Sequence, residues 1–214
     1  MAYVLGFFAA DGNMIRNRRG AHFIAFYSAD RVLLERVRSA LGSNHKIGGR
    51  DYSEKRRINY QLQLGSKEMF ADLFFLGMKP AKSNTLLLPR IPTKYEPDFV
   101  RGYFDGDGCV YFKRLKYADR KRPRHVLMTK FTSGSRSFLT SLHSLLKKRG
   151  VTGGVVREKW MKHGLDLTLS HSDSLAVYKL MYNTVPREGL YLPRKRKIFD
   201  KAIRTLYGGV AQPG

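Results

Sequence analysis

The chain has 214 residues, with 40 Lys plus Arg against 17 Asp plus Glu and a formal net charge of +23. Hydrophobic residues make up 43% and aromatics 12%, enough for one large domain or two of about 100 residues each, so the charge does not mark a disordered chain. So cationic a folded body needs a polyanion, nucleic acid first, and a single cysteine, Cys109, excludes a disulfide framework and a Cys-rich zinc site.

In chain order, the first element is a short apolar helix, Val4-Leu5-Gly6-Phe7-Phe8-Ala9-Ala10, stopped by Asp11-Gly12. It is too short for a signal-peptide core, and no apolar run approaches the ~20 residues of a membrane span. A strand at Met14 to Ile15 turns through Arg16-Asn17-Arg18-Arg19-Gly20 and returns as His22 to Tyr27. An amphipathic helix follows, with Val32, Leu33, Val37 and Leu41 inward and Ser28 or Asp30 as cap. A second hairpin is predicted from Lys46 to Tyr52 and Ile58 to Leu64, then a helix from Lys67 to Gly77. Pro89, Pro92 and Pro97 mark a linker.

The order then starts again. Val100-Arg101-Gly102-Tyr103-Phe104-Asp105-Gly106-Asp107-Gly108 repeats the first helix at a spacing of 96. Strands follow at Cys109 to Leu115 and Val126 to Thr132, joined by the basic turn Lys116 to Arg124. A helix carries Phe138, Leu142, Leu145 and Leu146 behind Ser133 or Ser135. A hairpin joins Val155 to Trp160 with Leu165 to Leu169, helices follow at Ser174 to Tyr182 and from Pro193 to Leu206, and a tail ends the chain. The predicted division is a first half at 1–88, a linker at 89–97, a second half at 98–207 and a tail at 208–214. Each half reads as helix, hairpin, helix, hairpin, helix: an α+β class. Residues 1–96 carry 16 basic and 8 acidic side chains, and residues 97–214 carry 24 and 9, so both halves are cationic.

The repeated helix has the look of chemistry. Gly6 and Ala10, and again Gly102 and Gly106, lie four apart and form a small-residue stripe on which two helices can pack closely. Phe7, Phe8, Tyr103 and Phe104 lie beside the stripe and face the cores, and Gly12 and Gly108 are expected as left-handed caps. Asp11 and Asp107 then stand at helix C-termini, where the macrodipole disfavours a carboxylate by about 0.3–1 kcal/mol each and the two acids repel. A divalent cation with a preference for carboxylate oxygens compensates both, and Mg²⁺ fits best. The six histidines show neither HxxxH nor HExxH spacing, and the chain has no Walker or Rossmann glycine loop.

These two segments resemble the LAGLIDADG motif, and the chain from about Tyr3 to Leu206 resembles a monomeric, two-motif LAGLIDADG homing endonuclease. Gly6, Asp11 and Gly12 match in the first copy; Gly102, Asp105, Asp107 and Gly108 match in the second. The resemblance implies two pseudo-symmetric αββαββα halves, paired motif helices at their interface and an antiparallel β saddle for double-stranded DNA. It implies a metal held by Asp11 and Asp107 with the carbonyls of Ala10 and Gly106, Mg²⁺ with Mn²⁺ as a substitute, and a staggered double-strand cut in a long site. It also assigns an assisting cation to each half, Lys82 and Lys195. The first motif acid is Ala9 in one copy and Asp105 in the other, a departure at a position that metal binding does not require.

Substrate contacts are expected on the hairpins: Arg16, Arg18, Arg19, His22, Arg50, Lys55, Arg56, Arg57, Asn59, Gln61 and Gln63 in the first half, and Lys113, Arg114, Lys116, Arg120, Arg122, Arg124, Lys130, Arg157 and Lys159 in the second. Gln61 and Gln63 are also candidates to support the first site, but Asp166 and Thr168 stand near the matching places in the second half, and base reading is the favoured role. Phe23, Ala25, Leu62, Phe112, Val126 and Leu167 are expected against the helices, and Trp160 and Tyr111 beneath the sheet. Turn arginines suit phosphate, and strand Arg, Asn and Gln suit base edges. The rival readings are a non-cleaving nucleic-acid-binding protein on the same fold, an RNA maturase or regulator, and a cationic ribosomal or architectural protein. A monomer with no membrane association and no small-molecule cofactor is expected, inside the cell in cytoplasm, nucleoid or an organelle matrix and not secreted. With Met1 two residues before the first motif helix, a free-standing intron-encoded protein that acts in intron homing is favoured.

Overall fold

A computed structural model describes residues 1–51, 58–116, 118–119, 121–159, 164–183, 185 and 189–208. The chain divides into two compact units, Met1–Asp107 and Gly108–Gly214.

The first unit opens with helix α1 (Ala2–Asp11), which runs straight into strand β1 (Gly12–Arg16). Gly12 is extended, at φ −91° and ψ 154°, and not the left-handed cap expected of an Asp-Gly pair. A glycine is required there for space: a Cβ would fall on the ring and the carbonyl of Phe8. The turn to β2 (His22–Ser28) is held by the Asn17 side chain, which accepts from the backbone N–H of Arg19 and Ala21, while Gly20 takes φ +79°. Helix α2 (Arg31–Ala40) buries Leu33, Leu34 and Val37, whereas Val32, expected inward, is 61% exposed. Strands β3 (Ile47–Asp51) and β4 (Ile58–Gly65) complete an antiparallel sheet of order β1-β2-β4-β3. Helix α3 (Lys67–Phe75) is capped by Ser66, whose hydroxyl accepts from Met69 N–H, and Gly77 at φ +87° ends it. Helix α4 (Glu96–Asp107), the second motif copy, takes Pro97 into its first turn, where a missing N–H costs nothing.

The second unit repeats the plan. Strands β5 (Gly108–Leu115), β6 (Arg124–Ser133), β7 (Val155–Glu158) and β8 (Leu165–Ser170) form a sheet of order β5-β6-β8-β7. Helix α5 (Arg136–Lys148) is capped by Ser135 through Phe138 N–H. Helix α6 (His171–Tyr182) begins three residues before the expected Ser174, with His171 at φ +36° making the strand-to-helix corner. Helix α7 (Pro193–Tyr207) starts on a proline and ends on Gly208 at φ +61°.

Both sheets share one register. Gly12 pairs with Phe26 and Phe26 with Leu62; Gly108 pairs with Phe131 and Phe131 with Leu167. One face of each sheet is the core. Ile24, Phe26 and Leu62 in the first unit, and Leu127, Phe131, Leu167 and Leu169 in the second, are fully buried. Alternation then sends Phe23, Ala25, Tyr111 and Val126 to the opposite face, contrary to the expectation that they back the helices. Phe112 keeps the core-side phase of Val110 and stacks on His125 at 5.2 Å. Trp160 lies outside the described residues.

Candidate active site and nucleic-acid interface

Within the first unit, α1 and α4 pack with their backbones in contact, and the small-residue stripe is the reason. A Cβ on Gly6 would fall on the carbonyl of Phe99, and one on Gly102 on the carbonyl of Tyr3. Further along, Gly106 faces the Ala10 methyl, and a Cβ there would lie 3.2 Å from Asp11 Oδ2. The Asp11 carboxylate therefore reaches over the last turn of α4, just before Asp107. Phe7 and Phe8, beside the stripe, are fully buried and dock on Phe26, with ring centroids 6.3 and 5.3 Å away.

Two acids at helix C-termini need a counter-charge, and the fold supplies one. Ala81 adopts a left-handed backbone, φ +53°, and a single 3-10 turn at Lys82–Asn84 sends the Lys82 side chain inward. Lys82 is only 7% exposed; its Nζ donates to the carbonyl oxygen of Gly12 and lies 5.2 Å from the centroid of the Phe8 ring. Burial pulls its ammonium from the ordinary 10.5 down to about 8, and the charges of Asp107 and then Asp11 pull the other way. Both motif acids thus act on one buried cation. In the second unit, Lys195, in the first turn of α7 and 5% exposed, donates from Nζ to the carbonyl of Gly108 at 2.5 Å. Each lysine therefore grips the glycine carbonyl directly after a motif acid.

The donor set available for a metal is hard oxygen: the half-buried carboxylates of Asp11 and Asp107 beside the Ala10 and Gly106 backbone. Among the described residues there is no group of three or more His, Cys, Asp or Glu side chains that could hold a metal ion. A two-carboxylate set suits Mg²⁺, which keeps several waters and takes phosphate oxygens as further ligands. It does not suit a zinc cage.

Two residues that the sequence left without a place belong to the helix pair. Asp105 is 3% exposed and accepts a 2.7 Å hydrogen bond from the Tyr3 hydroxyl across the α1–α4 contact. Their counterparts at the 96-residue offset, Ala9 and Phe99, are both apolar, so the polar pair is present or absent as a unit. Arg101, 4% exposed, bonds Asp98 at 2.5 Å and lies 5.5 Å from the Tyr3 ring centroid. The joint change from Tyr3 and Asp105 to Phe99 and Ala9 between the two copies was the available signal.

Seven of the expected interface residues fall on the sheet faces opposite the core. In the first unit this face carries Asn59, Gln61 and Gln63, with Gln61 Nε2 donating to Gln63 Oε1 at 2.9 Å. In the second it carries Lys113, Arg124, Lys130 and Arg157, with Lys159 just beyond β7. Arg18, Arg19, Lys116 and Arg122 lie in the hairpin turns. Arg16 and Arg114 sit at exposed strand ends in the core-side phase. His22 is placed differently from the rest: its ring meets Phe70 of α3 edge-on at 4.5 Å, on the helix-covered side. Arg50 lies on β3, but its side chain, like Lys55, Arg56, Arg57 and Arg120, is outside the described residues. No helix among the described residues is long and apolar enough to cross a membrane.

Solved structures similar in fold include LAGLIDADG homing endonucleases. The I-SmaMI LAGLIDADG homing endonuclease bound to cleaved DNA has a TM-score of 0.62 at 14% identity, with 98% of this chain and 96% of that chain covered. The I-LtrWI LAGLIDADG homing endonuclease bound to target DNA has a TM-score of 0.58 at 13% identity, with 96% and 90% covered. Among curated proteins, a probable translation initiation factor IF-2 of Thermococcus kodakarensis is 27% identical over 158 residues, 70% of this chain but 12% of its own length. An uncharacterized protein of Methanocaldococcus jannaschii is 26% identical over 120 residues, 54% of this chain and 41% of its own. The chain thus spans less than half the length of these curated relatives. The model of the LAGLIDADG-like domain matches residues 1–74 and again 95–180, one match for each motif helix and the hairpins that follow it. With both repeats matched and both motif acids in place, the chain belongs to the LAGLIDADG family.

Proposed function

We propose that the protein is a site-specific double-strand DNA endonuclease, a homing endonuclease, that makes a staggered cut in a long recognition site by metal-dependent phosphodiester hydrolysis. The observation that carries this reading is the Asp11–Asp107–Lys82 constellation. Two carboxylates stand at the C-terminal ends of helices packed too closely for any side chain at Gly6 or Gly102, and a buried ammonium faces both. A fold that needed only a helix contact has no use for acids at the disfavoured ends.

Asp11 and Asp107, with the carbonyls of Ala10 and Gly106, would hold a divalent ion, Mg²⁺ in the first instance. When bound, that ion supplies activation of water and charge neutralisation at the scissile phosphate. Lys82 and Lys195 orient the motif ends by holding the Gly12 and Gly108 carbonyls, and their ammonium groups offset charge as the phosphate is attacked. Turn arginines such as Arg18 and Arg19 grip phosphate, and the outward strand residues read base edges. The relatives support this reading: I-SmaMI has been captured on uncleaved DNA target in the presence of calcium ions and on cleaved DNA. We place the activity inside the cell, carried by a monomer that takes part in intron homing.

The test is a randomised duplex library incubated with the protein and Mg²⁺, the ends then sequenced. Staggered ends at one recurrent site are expected, with affinity that falls steeply with salt, as binding that neutralises about 6–10 phosphates must. Tight, specific binding with no cleavage in any divalent metal would leave the non-cleaving maturase or regulator in its place.

A further inference from the structure

The second unit carries an acid in the middle of its outward, otherwise basic sheet face. Asp166 on β8 pairs across with Thr132 on β6 and with Arg157 on β7. The Thr132 hydroxyl donates to its Oδ1 at 2.7 Å, Lys130 Nζ to its Oδ2 at 3.3 Å, and Lys159 Nζ lies 3.6 Å from Oδ1. The acid is less exposed than either lysine: its side chain is 15% exposed, against 34% for Lys130 and 28% for Lys159.

The common register identifies what stands in the same places in the first unit. Because Gly12–Phe26–Leu62 matches Gly108–Phe131–Leu167, Gln61 corresponds to Asp166, Ala25 to Lys130 and Tyr27 to Thr132. There the group is neutral: Gln61 donates to the Tyr27 hydroxyl at 3.3 Å and to Gln63. The second unit has exchanged it for an acid clamped between cations.

An acid at this place weakens attraction to a polyanion, so it is not an affinity device. Its oxygens face protein cations and a hydroxyl: Thr132 and Lys130 each engage one, and Lys159 lies beside the first. We infer that Asp166 is a positioning residue that fixes the ammonium groups of Lys130 and Lys159 to read guanine in the half-site under the second unit. Lysine has donors only, and guanine presents O6 and N7 as adjacent acceptors in the major groove, whereas a lysine held by nothing slides to the nearest phosphate. The neutral group around Gln61 has both donors and acceptors and makes no such demand. This inference rests on the double-stranded DNA reading above.

The experiment compares base preferences on a randomised duplex library for the unaltered protein, Asp166→Asn, Lys130→Met and Lys159→Met, with thermal melting measured alongside. Asp166→Asn is expected to lose guanine preference about tenfold at one or two adjacent base pairs. Binding to random duplex should rise or hold, since the variant gains a net positive charge. The lysine variants should lose preference at the same pairs with the acid still present, which keeps the test decisive if Asp166→Asn melts early. Asp166→Glu should restore part of the preference. An unchanged profile for Asp166→Asn, or a loss at pairs that the lysine variants do not touch, overturns the inference. If the unaltered protein selects no duplex at all, it is the DNA reading itself that fails.

Discussion

Lys82 is a cation held where a cation is costly, and replacing it gives a signed prediction. Its ammonium stands at about 8 in place of 10.5, so below pH 8 the folded protein carries a charge that costs about 3 kcal/mol relative to the unfolded chain. The sign follows from proton counting. Between about pH 8 and 10.5 the unfolded chain binds more protons at this site than the native one, so the Lys82 contribution to stability rises with pH across that window. Lys82→Met removes the charge and keeps the length of the side chain against Phe8. It forfeits the hydrogen bond to the Gly12 carbonyl, about 1 kcal/mol for an amine in its neutral form. The variant should therefore be more stable than the unaltered protein by about 2 kcal/mol at pH 7, with the gain fading toward pH 10, while cutting is lost. Urea denaturation with a chelator present, at pH 7 and pH 9.5, measures it. A loss of stability of 1 kcal/mol or more at pH 7 would refute the reasoning and make Lys82 a structural cation.

Other substitutions test separate links. Gly102→Ala puts a methyl on the Tyr3 carbonyl, which as backbone has little room to yield, and should cost about 3 kcal/mol or more. Gly20→Ala meets nothing within 4 Å and pays only for its φ of +79°, about 1 kcal/mol, so the two unfolding midpoints should separate clearly. Asp105→Ala removes the acceptor of the Tyr3 hydroxyl and should cost about 1–3 kcal/mol by denaturation; adding Tyr3→Phe should recover part of it, because Phe99 of α4 with Ala9 of α1 is the arrangement at the repeat-related place of the same helix pair. Leu167→Ala, at a fully buried core position of the second sheet, should cost about 2–5 kcal/mol in the same assay.

Much of the fold was legible because the sequence says it twice. The motif glycines, the acid after each helix and the basic turns recur at one spacing, and tertiary packing obeys the same pattern. The errors have a common physical origin. In β2, His22-Phe23-Ile24-Ala25-Phe26 is apolar on both faces, so alternation separates Phe23 from Ile24 without saying which is inward; pairing with Leu62 and Leu64 decides it. Val32-Leu33-Leu34 likewise leaves two frames open for one helix, and the chosen face excludes Val32. An Asp-Gly pair suggested a left-handed cap, yet Gly12 is needed because Phe8 occupies the space of a Cβ. At the site, the acids and the lysines were read from the motif and from chain order. The Tyr3–Asp105 pair and the clamping of Asp166 depend on contacts between distant segments, which no local pattern announces.

The central claim is that Asp11 and Asp107 perform chemistry and do not merely end two helices. On a duplex site that the unaltered protein cuts, Asp11→Asn and Asp107→Asn should each abolish double-strand cleavage while binding to the same duplex, measured in parallel at fixed salt, stays within about threefold, a change under 1 kcal/mol. Loss of binding together with cutting, or double-strand cutting that survives either substitution, would contradict the account.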